Sequence, residues 1–415
     1  MHPFTALFLF LLIAGLALQL WLLRRQARTV AAERDRVPAP FREAVSAAQH
    51  ARAADYTVAR AHHAARRLLA ATAWLALLTV GGGLAAIDSV IRGALPGGLA
   101  GPLAVVAATA LSITLLNLPF DLWIVFSIEA RFGFNRTTPV LFLLDLLRGI
   151  AISAVLLLPA FGLALWLLAR AGPAWWLWAW AGWAAFALLL GWAWPRLIAP
   201  LFNRFRELPP GELREAVETL ARRCGFELRG VRVMDGSRRS THGNAYFTGI
   251  GRSKRIVLFD TLLAQLASPE VQAVLAHELG HFRLRHVAWG LAGSLAAAGA
   301  GFALLGWLAR QAWFQPALGV PAGGPHTLFL LFALTAPVFL APGGPAAAWL
   351  SRRHEFAADA FAAAHADAAQ LANALVKLHR DNAATLTPDP VYTAFRASHP
   401  PVLERIARLA APKPA

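Results

Sequence analysis

Ala174-Trp175-Trp176-Leu177-Trp178-Ala179-Trp180-Ala181-Gly182-Trp183-Ala184-Ala185-Phe186-Ala187-Leu188-Leu189-Leu190-Gly191-Trp192-Ala193-Trp194 carries no charged side chain. A helix needs roughly 20 apolar residues to cross about 30 Å of hydrocarbon, so this stretch reads as a membrane span. Its tryptophans suit the bilayer interface. Six more stretches of the same kind cover residues 4–23, 68–91, 99–128, 140–169, 287–308 and 328–350. Seven spans imply a mainly α, polytopic membrane protein. Composition agrees: of 415 residues 57% are hydrophobic and 15% charged, against about half and a quarter in a soluble domain. The balance excludes an ordinary cytosolic enzyme and a disordered tail protein. A single cysteine, Cys224, excludes an intramolecular disulfide and a Cys-rich metal site.

The charge is lopsided, with 39 Lys+Arg against 23 Asp+Glu and a net of +16. Residues 24–67 hold ten Arg and four acidic residues, whereas the connections 92–98, 170–173 and 309–326 hold one Arg each. The positive-inside rule puts the Arg-rich side in the cytosol, with the N-terminus outside. The first span, lacking a positive n-region and followed at once by Arg24, Arg25 and Arg28, reads as a retained anchor rather than a signal peptide. This explains the arginines without nucleic acid, which we do not expect as a partner. Pro119 and Pro159 are expected to interrupt the third and fourth spans. Asp121, Asp145 and Arg148 at membrane depth form either structural ion pairs or the lining of a water-filled interior.

The expected organisation is residues 1–194 for spans one to five, 195–286 for a large polar segment on the cytoplasmic side, 287–350 for spans six and seven, and 351–415 for a C-terminal helical segment on the same side. Within 195–286, an amphipathic helix over 213–224 precedes a β-element of two or three strands. Ser268-Pro269-Glu270 then reads as the capped start of a helix running through His281. On it lies His277-Glu278-Leu279-Gly280-His281. Histidines at i and i+4 share a helix face and can grip one Zn²⁺, with Glu278 placed as general base toward the attacking water. Catalytic zinc takes three protein ligands and keeps an open position. Glu355 and Asp359 also stand at i and i+4. Glu355 is a candidate third ligand, and Asp359 can hydrogen-bond a ligand imidazole. His354 points about 100° away around the helix, toward a surface or cavity. His399, before Pro400-Pro401, either caps a turn or donates to a developing oxyanion. Arg405 either pairs with an acidic residue near the metal or with none.

Together these motifs resemble the type I CAAX prenyl protease family of integral-membrane zinc metallopeptidases. The resemblance is carried by Leu118-Pro119-Phe120, Phe126-Ser127-Ile128-Glu129, Gly133-Phe134-Asn135, Ile198-Ala199-Pro200-Leu201-Phe202-Asn203, Gly211-Glu212-Leu213, Asn244-Ala245-Tyr246-Phe247-Thr248-Gly249, His277 to His281, Glu355 to Asp359 and Ser398-His399-Pro400. It implies one Zn²⁺ per chain held by His277, His281 and Glu355, with Glu278 as general base and His399 steadying the tetrahedral intermediate. Asp359 and Arg405 match supporting residues. Asn244, Ala245, Tyr246 and Phe247 match the edge strand that binds the substrate, a peptide or membrane-associated protein. The implied fold is an α-barrel of seven transmembrane helices around a chamber. The Ala- and Arg-rich bias, and a C-terminus Pro412-Lys413-Pro414-Ala415 without a retention signal, suggest a bacterial source and hence the inner membrane. The competing readings are a membrane-protein quality-control zinc protease, a transporter or channel using the polar interior, and a catalytically silent scaffold.

Overall fold

The computed structural model describes residues 1–95, 97–226, 230–248 and 255–411, with Phe247 and Thr248 described by backbone alone. Gly249 of the strand motif and the terminal Pro412 to Ala415 lie outside the described residues. The first half is helical: α1 Pro3–Ala32, α2 Ala47–Leu78, α3 Gly83–Ala94, α4 Ala100–Trp123, α5 Pro139–Arg170, α6 Trp175–Ala193 and the short α7 Ala199–Phe202. Next come β1 Phe205–Glu207, α8 Glu212–Arg223, β2 Val231–Met234, β3 Ala245–Thr248, β4 Arg255–Phe259, α9 Asp260–Gln265 and α10 Ser268–Arg283. The chain ends in α11 His286–Leu308, α12 Phe314–Ala317, α13 Pro325–Leu340, α14 Gly344–His365, α15 Ala368–Asp381, α16 Pro390–Arg396 and α17 Val402–Ala410.

Among the described residues, six helices are long and apolar enough to cross a membrane, and a bent pair makes a seventh. That pair corrects the expected straight span over 68–91: α2 and α3 meet at an angle of 57°. The cause is local. Gly81, Gly82 and Gly83 follow Thr79 and Val80. Gly82 is left-handed at φ +75°, and a Cβ on Gly81 or Gly83 would lie 2.8 Å from the Leu77 carbonyl oxygen. The expected interruptions at Pro119 and Pro159 do not occur, since both lie inside continuous helices. Membrane helices tolerate proline where neighbours satisfy the freed backbone groups. After Pro119 the chain widens into a π-helical stretch, Ile124–Glu129. Neighbouring walls pack in the order α1, α2, α4, α5, α6 and α11, and α13 returns onto α1. This α-barrel forms the membrane half of the fold, with α13 packing also on α4 and α5.

The polar segments share one core. Leu220, Val231, Ile256, Leu258, Leu275 and Leu279 pack with Ala362, Leu371, Leu375 and Val402, and Phe41 from the loop after α1 joins them. Fully burying such a side chain is worth about 1.5–3 kcal/mol. The sheet has four strands in the order β1-β2-β4-β3, one more than expected. β1 pairs antiparallel with β2, β2 runs parallel to β4, and β3 pairs antiparallel with β4. β3 is therefore an edge strand.

The acidic groups at membrane depth are paired. Asp121 meets Arg67 at 3.1 Å, with both side chains more than 40% exposed. This pair ties α2 to α4, the structural alternative of the two expected for these charges. Asp145 lies 3.6 Å from Arg148 but pairs more closely with Arg239, which donates to its two carboxylate oxygens at 2.9 and 3.1 Å. Arg239 also donates to Asn203 Oδ1 and the Phe202 carbonyl, so it ties α5 to the peptidase segment. Arg239→Ala is expected to leave Asp145 without its main donor and cost about 1–3 kcal/mol. Thermal unfolding in detergent, with Arg239→Lys as an intermediate case, checks this.

Candidate metal centre

α10 starts one residue earlier than its Ser-Pro-Glu signal suggests. Ala267 is the cap; its N–H donates to Glu270 Oε2 at 2.8 Å, and Glu270 also binds Lys377 of α15. The helix buries Val271, Leu275 and Leu279 against the sheet and turns His277 and His281 toward α14. The two helices cross closely at Gly280, where an added Cβ would lie 3.2 Å from both the Cα and the carbonyl oxygen of Ala358. A side chain at 280 would push the helices apart by a few tenths of an ångström, and the close approach that glycine allows brings Glu355 within reach of both histidines.

His277 Nε2 lies 3.2 Å from His281 Nε2 and 3.4 Å from Glu355 Oε2, and His281 Nε2 lies 3.3 Å from Glu355 Oε1. Four-coordinate zinc with bonds of about 2.0–2.1 Å has ligand atoms about 3.3 Å apart along each tetrahedral edge. Glu355 Oε2 is buried without a hydrogen-bond partner, as a carboxylate oxygen would be if reserved for a cation. The donor set therefore fits zinc. Behind it, His277 Nδ1 lies 2.8 Å from Asp359 Oδ1. Arg405 grips Asp359 with two hydrogen bonds, 2.6 and 2.8 Å long, and sits 3.6 Å from Glu355. His277, Glu355, Asp359 and Arg405 are all buried. Burial opposes a charged His277, yet the hydrogen bonds to Asp359 and Glu355 outweigh it and raise the imidazole to about 9. The pocket is thus built to stabilise positive charge. Glu278 is half-buried; burial pushes its carboxyl upward, opposed by His277 and His281.

His399 is exposed, with Nε2 3.5 Å from Glu355 Oε1. Its loop is held by Arg352, which donates to the Thr393 and Ala397 carbonyls at 2.9 Å. Asn244, the residue just before β3, is exposed and accepts the Ala245 N–H; Ala245 is buried and Tyr246 half-buried. The backbone of β3, including Phe247, is the sheet's outer strand. His354 stacks on His286 with ring centroids 4.0 Å apart.

Sequence reasoning missed what anchors β3. Glu129 accepts from the Tyr56 hydroxyl and lies 3.4 Å from His242 Nε2. Asn382 Oδ1 accepts the Gly243 N–H and faces His242 Nδ1 at 3.2 Å. Phe134 stacks on the His242 ring. Glu129 and Phe134 were visible only as parts of motifs, with no chemical signal of their own.

Residues 26–204 match the model for the CAAX prenyl protease N-terminal region of five membrane helices, and residues 207–413 match peptidase family M48. The chain belongs to peptidase family M48. The CAAX prenyl protease 1 homolog of Arabidopsis thaliana is 36% identical over 291 residues, spanning 70% of this chain and 69% of the relative. The CAAX prenyl protease 1 homolog of Homo sapiens is 33% identical over 336 residues, spanning 71% and 70%. The crystal structure of S. mikatae Ste24p matches 99% of both chains with a TM-score of 0.90 at 27% identity. This M48 member is an integral-membrane zinc metalloprotease of the CAAX prenyl protease type. Gly280→Ala is expected to force α10 from α14 and destabilise the fold by about 1–3 kcal/mol. The same displacement should release bound zinc to a weaker chelator than wild type requires, which competition titration measures.

Proposed function

We propose that His277, His281 and Glu355 hold a single zinc ion and that Glu278 and His399 carry out peptide hydrolysis beside it. The observation that carries this reading is the set of three donor atoms 3.2–3.4 Å apart on the α10–α14 crossing. Zinc, when bound, supplies Lewis acidity toward the scissile carbonyl and lets water attack at neutral pH. The Glu278 carboxylate accepts a proton from the attacking water and passes it to the departing amine. His399 Nε2–H donates to the oxygen on which negative charge develops. Asp359 accepts from His277 Nδ1, and Arg405 keeps that carboxylate oriented.

The substrate peptide lies along β3, adding a strand to the sheet's open edge at Asn244, Ala245, Tyr246 and Phe247. Backbone hydrogen bonds then give affinity while tolerating varied side chains. The names of the relatives point to a prenylated C-terminal CAAX peptide or a membrane-associated protein bearing one. The arginine distribution supports an N-terminus outside the cell and a zinc centre on the cytosolic side, contributed by the segments 195–286 and 351–415.

Glu278→Gln should keep stoichiometric zinc and lose peptide cleavage by about 10²–10⁴-fold, the usual contribution of general-base catalysis. Cleavage is read with a farnesylated CAAX peptide in detergent or liposomes, and zinc by elemental analysis. Undiminished cleavage by Glu278→Gln sinks the assignment. Equal rates on farnesylated and unprenylated peptides would instead favour the quality-control reading.

A further inference from the structure

His281 has two ring nitrogens, and only Nε2 faces His277 and Glu355. Its other nitrogen, Nδ1, lies 3.1 Å from Nδ1 of His286. Two nitrogens at that distance share one proton: one donates and the other accepts. If His281 offers the Nε2 lone pair to the metal, its Nδ1 bears the proton, and His286 must be the acceptor. The hydrogen bond made by the remote nitrogen decides which nitrogen of a histidine is free for a metal. Asp359 does this for His277, at 2.8 Å from its Nδ1.

The backbone is shaped to put His286 there. α10 ends at Arg283 and α11 begins at His286. The intervening Arg285 adopts φ 60°, one of only two non-glycine residues with positive φ among those described. Non-glycine residues persist in this region when the surroundings over-determine them, often at functional sites. The turn folds His286 back over His281, with ring centroids 5.2 Å apart. His354 of α14, one residue before Glu355, stacks on the face of the His286 ring, with planes 9° apart and centroids 4.0 Å apart, whereas His281 meets that ring edge-on. His354 thereby fixes the ring plane so that the Nδ1 edge faces His281.

We propose that His286 is a positioning residue that accepts the Nδ1–H of His281, clamped in place by His354, and so holds His281 in its metal-binding tautomer. This rests on the reading of His281 as a zinc ligand. Two variants of the full chain separate hydrogen bonding from packing. His286→Phe keeps an aromatic ring on His354 but removes the acceptor. His286→Asn loses the ring but places an amide oxygen near the former Nδ1. The readout is apparent zinc affinity in detergent, by competition with a chromophoric chelator.

His286→Phe is expected to weaken zinc binding about 10–100-fold, the usual effect of losing a group that orients a metal ligand. His286→Asn should stay within about threefold of wild type, because its side-chain oxygen accepts as the imidazole nitrogen does. A packing role predicts the reverse order. Wild-type affinity in His286→Phe, or affinity in His286→Asn no better than in His286→Phe, overturns the proposal. If His286→Phe fails to fold in thermal unfolding, His286→Asn decides alone, and more than tenfold loss there also overturns it. His281→Ala is the control for the parent reading: wild-type zinc affinity in that variant removes His281 from the ligand set, whatever His286 does.

Discussion

Everything at the metal centre depends on two helices crossing with their backbones in contact. Gly280 of α10 meets Ala358 of α14, and that closeness puts the His277–His281 face opposite Glu355 and Asp359. Neither helix could make the site alone, since each presents only two residues on its facing side. The concentration of charge has a cost, because buried ionic groups recover their desolvation only when geometry is good and every lone pair is used. Arg405 meets part of that condition by binding Asp359 through both oxygens, while Glu355 Oε2 stays without a hydrogen bond 3.6 Å away. The network is best understood as a device for orientation rather than for net stability.

The membrane half solves a different electrostatic problem. Its helices bury few of their residues, yet carry Arg67, Asp121, Asp145 and Arg148 where lipid would exclude charge. These groups are tolerable because they pair. Arg239 is the most connected of the bridging residues, touching α5, the end of α7 and the residues before β1. It couples the position of a membrane wall to the position of the sheet. Glu129 and Tyr56 do the same for the start of β3 through His242.

Much of this was legible in the residues themselves. Helical periodicity put His277 with His281 and Glu355 with Asp359, and uncharged stretches located the membrane helices, although α1 runs on to Ala32, α2 begins at Ala47 and α14 continues to His365, well outside those stretches. What could not be read was long-range pairing. Seventy-four positions separate Glu355 from His281 (355 − 281), and no local period links them, so its place beside the histidines came from family resemblance and then from the fold. Asp145 was expected in an ion pair or a polar lining with no partner specified, and its closest partner, Arg239, comes from a segment 94 residues away. The break between α2 and α3 lay in a run of three glycines that hydropathy averaging counts as neutral. Pro119 and Pro159 misled in the opposite direction, because the rule that proline ends a helix weakens where a packed neighbour supplies the missing hydrogen bonds. β1 was too short, at three residues, to show alternation.

The split origin of the metal centre also bears on how the enzyme comes into being. His277 and His281 leave the ribosome before α11 and α13, whereas Glu355, His399 and Arg405 leave after them. Domains tend to fold as units in the order they are synthesised, but here the hydrophobic core under α10 needs Ala362, Leu371 and Val402 to close. A nascent chain that has exposed its HExxH helix is therefore still incompetent to cut. On the proposed ligand set, the centre is complete only once α11 and α13 have been made and the closing helices have docked, so cleavage would follow assembly of the barrel rather than accompany it.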